Sequence, residues 1–173
     1  MHAISDPPSL REPGPGDDAG SFSAWLRPHW PTLAGLARRS AGSSDWEDVL
    51  QEALTAAWRK RGQFDPDRGS ARNWLLAIVA DQSYKSRRRL RPVPVAVPAE
   101  IAGSNPDDSE GMDLDAALGE LTDRQRMAVN LRYFLAVPLA DIAQVMGCSE
   151  GTAKSTLSDA RRRLRQLLGE DYR

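Results

Sequence analysis

The 173-residue chain is long enough for one medium domain or two small ones, and it is too short for a large enzyme scaffold. Its 40% hydrophobic and 27% charged residues are typical of a soluble globular protein, and the lack of a long apolar run or signal-peptide pattern predicts a cytoplasmic protein without membrane insertion. The net charge of −1 excludes a general polycation, and the single cysteine, Cys148, excludes an internal disulfide and has no zinc-type spacing.

The N-terminal part is predicted to be a tail followed by interrupted helices. Residues 1–20 combine prolines with Gly, Ser and Asp and have no apolar periodicity, so we predict a disordered tail. Apolar residues then recur at helical spacing, although Pro28 and Pro31 must kink or interrupt the backbone. Ser44 and Glu47 have capping-box spacing and precede a clean amphipathic helix.

A turn and a basic helix complete this half. The run Asp65-Pro66-Asp67 is a turn signal, and Ser70 is placed to cap the helix that follows. That helix becomes strongly basic and is predicted to end at Arg91, because Pro92 disfavours helical geometry before it. The proline-rich and acidic residues 92–112 predict a flexible linker.

The most specific local pattern is that of a helix-turn-helix at residues 138–168. A short apolar-lined helix is followed by Gly147, which suits a left-handed stop, and by Ser149, which suits the cap of a longer helix. The second helix is predicted to bury Ala153, Leu157, Ala160 and Leu164. Small and basic residues on the other face favour entry into a major groove. The alternative is an ordinary helical hairpin with a solvated basic face.

Because no segment alternates as a β-strand does, we predict an all-α fold of two small helical domains joined by the linker. The predicted domains are residues 21–91 and 113–169. Basic residues cluster near the end of the first and in the last helix of the second, which predicts two separate contacts with phosphate.

The chain resembles extracytoplasmic-function (ECF) sigma factors, the smallest class of the sigma-70 family. Its similarity to region 4 rests on the runs LTDRQR (residues 121–126), LRYF (131–134), LADIA (139–143) and GTAKS (151–155). Its similarity to region 2 rests on EDVLQEA (47–53), AWR (57–59), FDP (64–66) and NWLLAI (73–78). Two motif sets in the family order, separated by a proline-rich linker, are a specific signal.

The resemblance implies a function in transcription initiation. Such a protein binds the RNA polymerase core, directs it to promoters and assists promoter melting; it is not an enzyme and needs no cofactor. The expected partners are the clamp helices of the largest polymerase subunit, the flap of the second-largest subunit, promoter DNA and an anti-sigma factor. The resemblance places the clamp contact on the polar face of one helix, at Asp48, Gln51, Glu52 and Arg59.

The resemblance also assigns two DNA sites. A loop that captures a flipped base and the helix after it are expected to bind the minus-ten element through Gln63, Phe64, Asp65, Arg68, Asp81, Tyr84, Lys85 and Arg88. Among the aromatic residues, Trp74 is expected in the core and Tyr84 is the better stacking candidate. The recognition helix is expected to bind the minus-thirty-five element through Gly151, Thr152, Lys154, Ser155, Ser158, Arg161, Arg162 and Arg165.

Four residues depart from the family pattern, two at the minus-ten site and two in the recognition helix. Asp81 stands where Asn is common and Lys85 where an acidic residue is common, which leaves the minus-ten preference open. Thr156 and Asp159 stand where many members carry Arg, so fewer phosphate anchors are expected in the recognition helix.

Two other functions compete with this interpretation. A helix-turn-helix activator or repressor would bind duplex DNA specifically without joining the polymerase. A catalytic helical domain has little support, because His2 and His29 are isolated, no nucleophile lies beside a base and no glycine-rich phosphate loop is present.

Overall fold

The computed structural model describes residues 14–41, 46–90 and 109–168, and every regular element in these ranges is helical. The α-helices are α1 (Ala19–Leu26), α2 (Trp30–Ala41), α3 (Trp46–Lys60), α4 (Ala71–Leu90), α5 (Ser109–Gly119), α6 (Asp123–Val129), α7 (Leu139–Val145) and α8 (Glu150–Leu168). The predicted all-α fold class is therefore confirmed. None of the described helices is long and apolar enough to span a membrane.

The first helix begins earlier than the sequence analysis predicted. The Asp18 carboxylate accepts hydrogen bonds from the backbone N–H groups of Gly20 and Ser21, at 2.8 and 3.0 Å, and so caps α1. The hydroxyl of Ser21 also donates to Asp18, and this bond is the main reason why the pKa of the carboxyl is lowered. The predicted tail of residues 1–20 is thus wrong at its end, since Ala19 and Gly20 are helical.

The two prolines interrupt the backbone as predicted. A single 3-10 turn, Arg27–His29, holds Pro28 and separates α1 from α2, while Pro31 lies in the first turn of α2. Proline is tolerated there because the first N–H groups of a helix have no partner within the helix.

Helices α2, α3 and α4 form the core of the first half. Leu33 and Leu36 of α2 are fully buried, as are Leu75 and Leu76 of α4 to within 1%. The buried face of α3 comprises Val49, Leu50, Ala53 and Ala57, all no more than 3% exposed. These four belong to the stripe predicted from helical periodicity, whose other two members, Leu54 and Trp58, are only partly buried. The capping residue Ser44 lies outside the described residues.

The turn and cap before α4 are confirmed. The backbone N–H of Asp67 donates to the Asp65 carboxylate at 2.9 Å, and the Ser70 hydroxyl accepts from the backbone N–H of Asn73 at 3.2 Å. Helix α4 then runs to Leu90, so the predicted end at Arg91 and residues 92–108 of the linker lie outside the described residues. Helix α5 begins at Ser109, inside the predicted linker, so the linker's predicted end at residue 112 is wrong.

The second half contains the predicted helix-turn-helix. Thr122 and Gln125 form the capping box of α6. Gly147 has a φ of 60°, and the Ser149 hydroxyl accepts from the backbone N–H of Thr152 at 3.1 Å. Helix α8 buries Ala153, Leu157 and Ala160, and Leu164 packs, partly buried, against the small cluster that contains Ala160. The local sequence signals for this motif are therefore confirmed.

A π-helical turn, which the sequence analysis did not predict, connects α6 to the loop before α7. It spans Asn130–Phe134 and is closed by a 3.1 Å hydrogen bond from the Leu135 N–H to the Asn130 carbonyl. Ala136 follows in the left-handed region, with a φ of 50°. A side chain with a Cβ is strained in this conformation, so the turn stores a small backbone cost.

The two halves contact each other directly, which the sequence analysis did not predict. Buried residues of both halves belong to one hydrophobic cluster. Polar contacts join them as well, since the Asn130 amide donates to the Ser40 hydroxyl at 3.2 Å and Arg87 forms a 2.9 Å ion pair with Asp123. The guanidinium of Arg39 also lies 3.5 Å from the ring centroid of Phe134. The two halves therefore pack against each other along α2 and α4, and we call this arrangement closed.

Candidate nucleic-acid interface

Helix α8 presents the predicted minus-thirty-five residues to solvent. Its buried residues recur every three or four positions, so the opposite side of the helix is left outward. Every residue predicted for this contact is exposed: Gly151, Thr152, Lys154, Ser155, Ser158, Arg161, Arg162 and Arg165. Since small residues stand near the N-terminus and arginines near the C-terminus, the helix has space to approach base edges at one end and cations for phosphate at the other.

One of these arginines already has a partner on the same helix. The guanidinium of Arg162 forms a 2.6 Å ion pair with the carboxylate of Asp159, one turn away. Their side chains are 65% and 47% exposed, so the pair lies in water. Asp159 is one of the positions that depart from the family pattern. In this chain it both replaces a cation and engages one.

The hydroxyl groups of this helix are partly used within it. Ser155 and Thr156 both donate to the backbone carbonyl of Thr152, at 3.0 and 2.8 Å. A hydroxyl that bonds its own helix keeps its remaining lone pairs for an outside donor. Thr156 is therefore less suited than an arginine to anchor a phosphate.

The loop predicted to capture a base forms a cavity of about 250 Å³ with the start of α4. Gln63, Phe64, Asp65 and Arg68, the loop residues predicted for the minus-ten contact, all line it. Phe64 meets Trp74 edge to face at 5.7 Å between ring centroids, and Trp25 lies 5.3 Å from Phe64. The rings of Phe64 and Trp74 give the cavity an apolar wall, and Trp74 is partly buried rather than fully in the core.

Asn73 is a cavity residue that sequence reasoning missed. It is only 4% exposed, and its side-chain amide donates to the carbonyl oxygen of the Gln144 side chain at 2.7 Å. Its own Oδ1 is buried and has no hydrogen-bond partner among the described residues. The available signal was a polar residue within the apolar face of α4, next to Trp74.

The predicted minus-ten residues of α4 are not brought to one place. Asp81 and Lys85 form a 2.6 Å ion pair on the outer surface, and Arg88 is exposed further along. Tyr84 instead lies half-buried at the junction of the two halves, in a small cavity that Arg87 and Met127 also line. Burial raises the pKa of its phenol to about 12. In the closed chain Tyr84 therefore does not share a surface with Asp81 and Lys85.

The predicted polymerase-binding residues line a groove between α3 and α4. Asp48, Gln51, Glu52 and Arg59 are all exposed and border an open depression of about 710 Å³. Lys85 lies on its other side, and Glu52 forms a 3.1 Å ion pair with Arg89 of α4. The groove thus combines acidic, amide and basic groups that face outward, which suits a charged partner helix.

Two family models match the chain. The Sigma-70 region 2 family model matches residues 25–92, and the model for Sigma-70, region 4 matches residues 111–164. The chain is 34% identical over 157 residues to the ECF RNA polymerase sigma factor SigM of Mycobacterium tuberculosis, covering 88% of this chain and 79% of SigM. It is 32% identical over 138 residues to SigF of Caulobacter vibrioides, an ECF sigma factor, covering 77% and 76%.

Solved structures show the same fold. The sigma factor RpoE of Bartonella quintana, in complex with the anti-sigma factor NepR, superposes with a TM-score of 0.67 at 28% identity and covers 90% of this chain and 100% of its own. CnrH, in complex with the cytosolic domain of CnrY, gives a TM-score of 0.65 at 26% identity, covering 89% and 91%. With both regions matched in order and a close relative along most of the chain, this protein belongs to the ECF sigma factors of the sigma-70 family.

Proposed function

We propose that this sigma factor joins the RNA polymerase core through the α3–α4 groove, reads the minus-ten element with the loop cavity and reads the minus-thirty-five element with α8. The observation that carries the proposal is that regions 2 and 4 follow in order on one chain, each with an outward site of suitable chemistry. Such a factor acts without enzymatic chemistry, by bringing polymerase to a promoter and holding DNA strands.

The minus-thirty-five contact is proposed for the exposed face of α8. Gly151 and Ser155 at its N-terminal end leave room for base edges, while Arg161 and Arg165 carry charge to the flanking phosphates. Arg162 is available once its ion pair with Asp159 exchanges for a phosphate.

The minus-ten contact is proposed for the loop cavity and the outer face of α4. Melting without ATP requires that an unstacked base regain its lost stacking and hydrogen bonds from the protein. The cavity offers aromatic rings from Phe64 and Trp74 together with polar groups from Asn73. Lys85 and Arg88 are exposed on α4 beyond the cavity and supply positive charge for the displaced strand.

The polymerase contact is proposed for Asp48, Gln51, Glu52 and Arg59, with the clamp helices of the largest subunit as the partner. A groove edged by carboxylates forms charge-assisted hydrogen bonds with a basic helix. The flap of the second-largest subunit is the proposed partner of the second half. We also propose an anti-sigma factor as a partner. RpoE was solved in complex with the anti-sigma factor NepR, and CnrH was solved in complex with the cytosolic domain of CnrY.

A run-off transcription assay with purified core polymerase, this protein and a genomic promoter pool tests the proposal. Transcripts that start at discrete sites only when the protein is added are expected. Asp48→Lys should lower core binding and transcription together, whereas the matched charge reversal Asp17→Lys, on an exposed residue of the same half outside the groove, should change core binding little. Specific duplex binding by the free chain, without any association with core, would instead identify an activator or repressor.

A further inference from the structure

A side chain from the other half of the protein lines the loop cavity. Gln144 of α7 borders it, where its Nε2 donates to the backbone carbonyl of Arg68 at 2.6 Å and its Oε1 accepts from the Asn73 amide at 2.7 Å. Gly69 allows this approach, because a Cβ at that position would meet the end of the Gln144 side chain. The Gln144 side chain therefore contacts both the loop backbone at Arg68 and the side chain of Asn73.

The Gln144 amide has the hydrogen-bonding chemistry of a nucleobase edge. It is planar and presents one acceptor beside one donor, as an unpaired base does, and Asn and Gln side chains pair with such edges in protein–DNA complexes. Asn73 uses only half of its capacity on Gln144. Its Oδ1 is left buried without a partner among the described residues, although a bidentate partner would satisfy both arms.

The closed arrangement is incompatible with binding both promoter elements at once. Duplex DNA spans about 34 Å in ten base pairs, so elements about 25 base pairs apart are separated by roughly 80 Å. A 19-residue helix such as α8 is only about 28 Å long. With α7 held against the start of α4, the recognition helix and the loop cavity stay within one compact body, and the halves must separate before both sites are used.

We propose that Gln144 is an internal substitute for the flipped minus-ten base, and that Asn73 is the residue that binds either one. The free chain is thereby closed to the minus-ten strand until α7 leaves α4. This inference rests on the proposed function, because it takes the loop cavity as the base site. It goes beyond it in naming a competitive occupant and a specificity residue.

The test measures binding of the full-length free chain to a fluorescent single-stranded oligonucleotide that carries the minus-ten sequence found by run-off transcription. Gln144→Ala removes the competitor and should tighten binding about tenfold, the factor that corresponds to one or two net hydrogen bonds. Asn73→Ala should weaken binding in both the wild-type and Gln144→Ala backgrounds. Gln166→Ala, an exposed glutamine on α8, is the matched control and should not tighten binding.

A second control separates removal of the Gln144 side chain from a general weakening of the contacts between the halves. Arg72→Ala removes a 3.3 Å hydrogen bond between the halves, from its guanidinium to the Leu135 carbonyl, without touching Gln144. It should tighten binding less than Gln144→Ala does. Equal gains would show that opening alone matters and would overturn the role of Gln144 as a base substitute.

The same titration with holoenzyme distinguishes failure of the inference from failure of the proposed function. The gain from Gln144→Ala should be smaller there, because holoenzyme formation has already separated the halves. If wild-type holoenzyme initiates at promoters but neither Gln144→Ala nor Asn73→Ala alters strand binding by the free chain or the holoenzyme, the inference is wrong and the sigma function stands. If holoenzyme shows no promoter-specific initiation, the proposed function itself fails.

Discussion

Asp159 is predicted to weaken the minus-thirty-five contact, and its removal should strengthen promoter binding. The carboxylate opposes DNA in two ways, since it repels phosphates directly and engages Arg162 in a 2.6 Å ion pair. Asp159→Ala removes both effects. Alanine is also the best helix former, so α8 should keep its helical structure.

The magnitude follows from the exposure of the pair. An ion pair whose side chains are 65% and 47% exposed is worth about 0–1 kcal/mol. Repulsion between two unit charges about 8 Å apart adds about 0.5 kcal/mol in water. Together these terms predict a gain of about 0.5–1.5 kcal/mol, which is a two- to roughly tenfold lower Kd. One additional phosphate contact should also steepen the slope of log Kd against log salt by about 1.

The assay is fluorescence anisotropy of a labelled promoter duplex with holoenzyme at several potassium chloride concentrations. A double-mutant cycle with Arg162→Ala assigns the effect, because the part of the gain that passes through Arg162 must vanish in that background. An unchanged Kd and salt slope for Asp159→Ala would refute the reasoning. Equal gains with and without Arg162 would show that simple repulsion, rather than release of Arg162, is responsible.

Three further predictions concern stability. Leu157→Ala removes a side chain that is 7% exposed and should cost about 2–5 kcal/mol in urea unfolding. Ala136→Gly should raise the free energy of unfolding by about 0.5–1 kcal/mol because it relieves a φ of 50°, whereas Gly147→Ala, at a φ of 60° with open space around it, should lower it by about 1 kcal/mol in the same experiment. Burial raises the pKa of Tyr84 from 10.0 to about 12, so Tyr84 loses its proton at lower pH in the unfolded chain than in the folded one. The stability that comes from the neutral phenol is therefore full below pH 10 and is lost between pH 10 and 12. Tyr84→Phe should reduce this loss in thermal melts across that pH range.

Each of these has a contrary outcome. A Leu157→Ala protein that melts like the wild type would mean that Leu157 does not face the core and that α8 is rotated about its axis relative to this structure. Same-sign effects at Ala136 and Gly147 would exclude backbone conformation as their cause. A Tyr84→Phe variant with the same alkaline loss as the wild type would assign that loss to other groups.

The helices and their caps could be predicted because their signals are local. Ser70, or Gly147 with Ser149, acts within one turn of the backbone, and the buried face of α3 follows from periodicity. The tail boundary was misplaced for a related reason. Asp18 is a cap signal, but Gly20 and Ser21 after it are typical of loops.

The contact between the halves could not be predicted because its residues are far apart in sequence and follow no period. Asn73 and Gln144 are 71 positions apart, and Ser40 and Asn130 are 90 apart. The same contact partly buries Tyr84, which the family resemblance had assigned to the minus-ten site. The loop of the candidate base site was therefore predicted, but the contact that Gln144 makes with it was not.

The polar contacts at the junction of the halves have a consequence for the solubility of the opened chain. Ser40 and Asn130 are buried there, and Arg72 and Arg87 also bond across it. When the halves part, these groups can hydrogen-bond to water, so separation exposes a partly wettable surface rather than a wholly apolar one. Such a surface has a lower tendency to self-associate, and it allows the separated form to persist in solution long enough to meet a partner by diffusion.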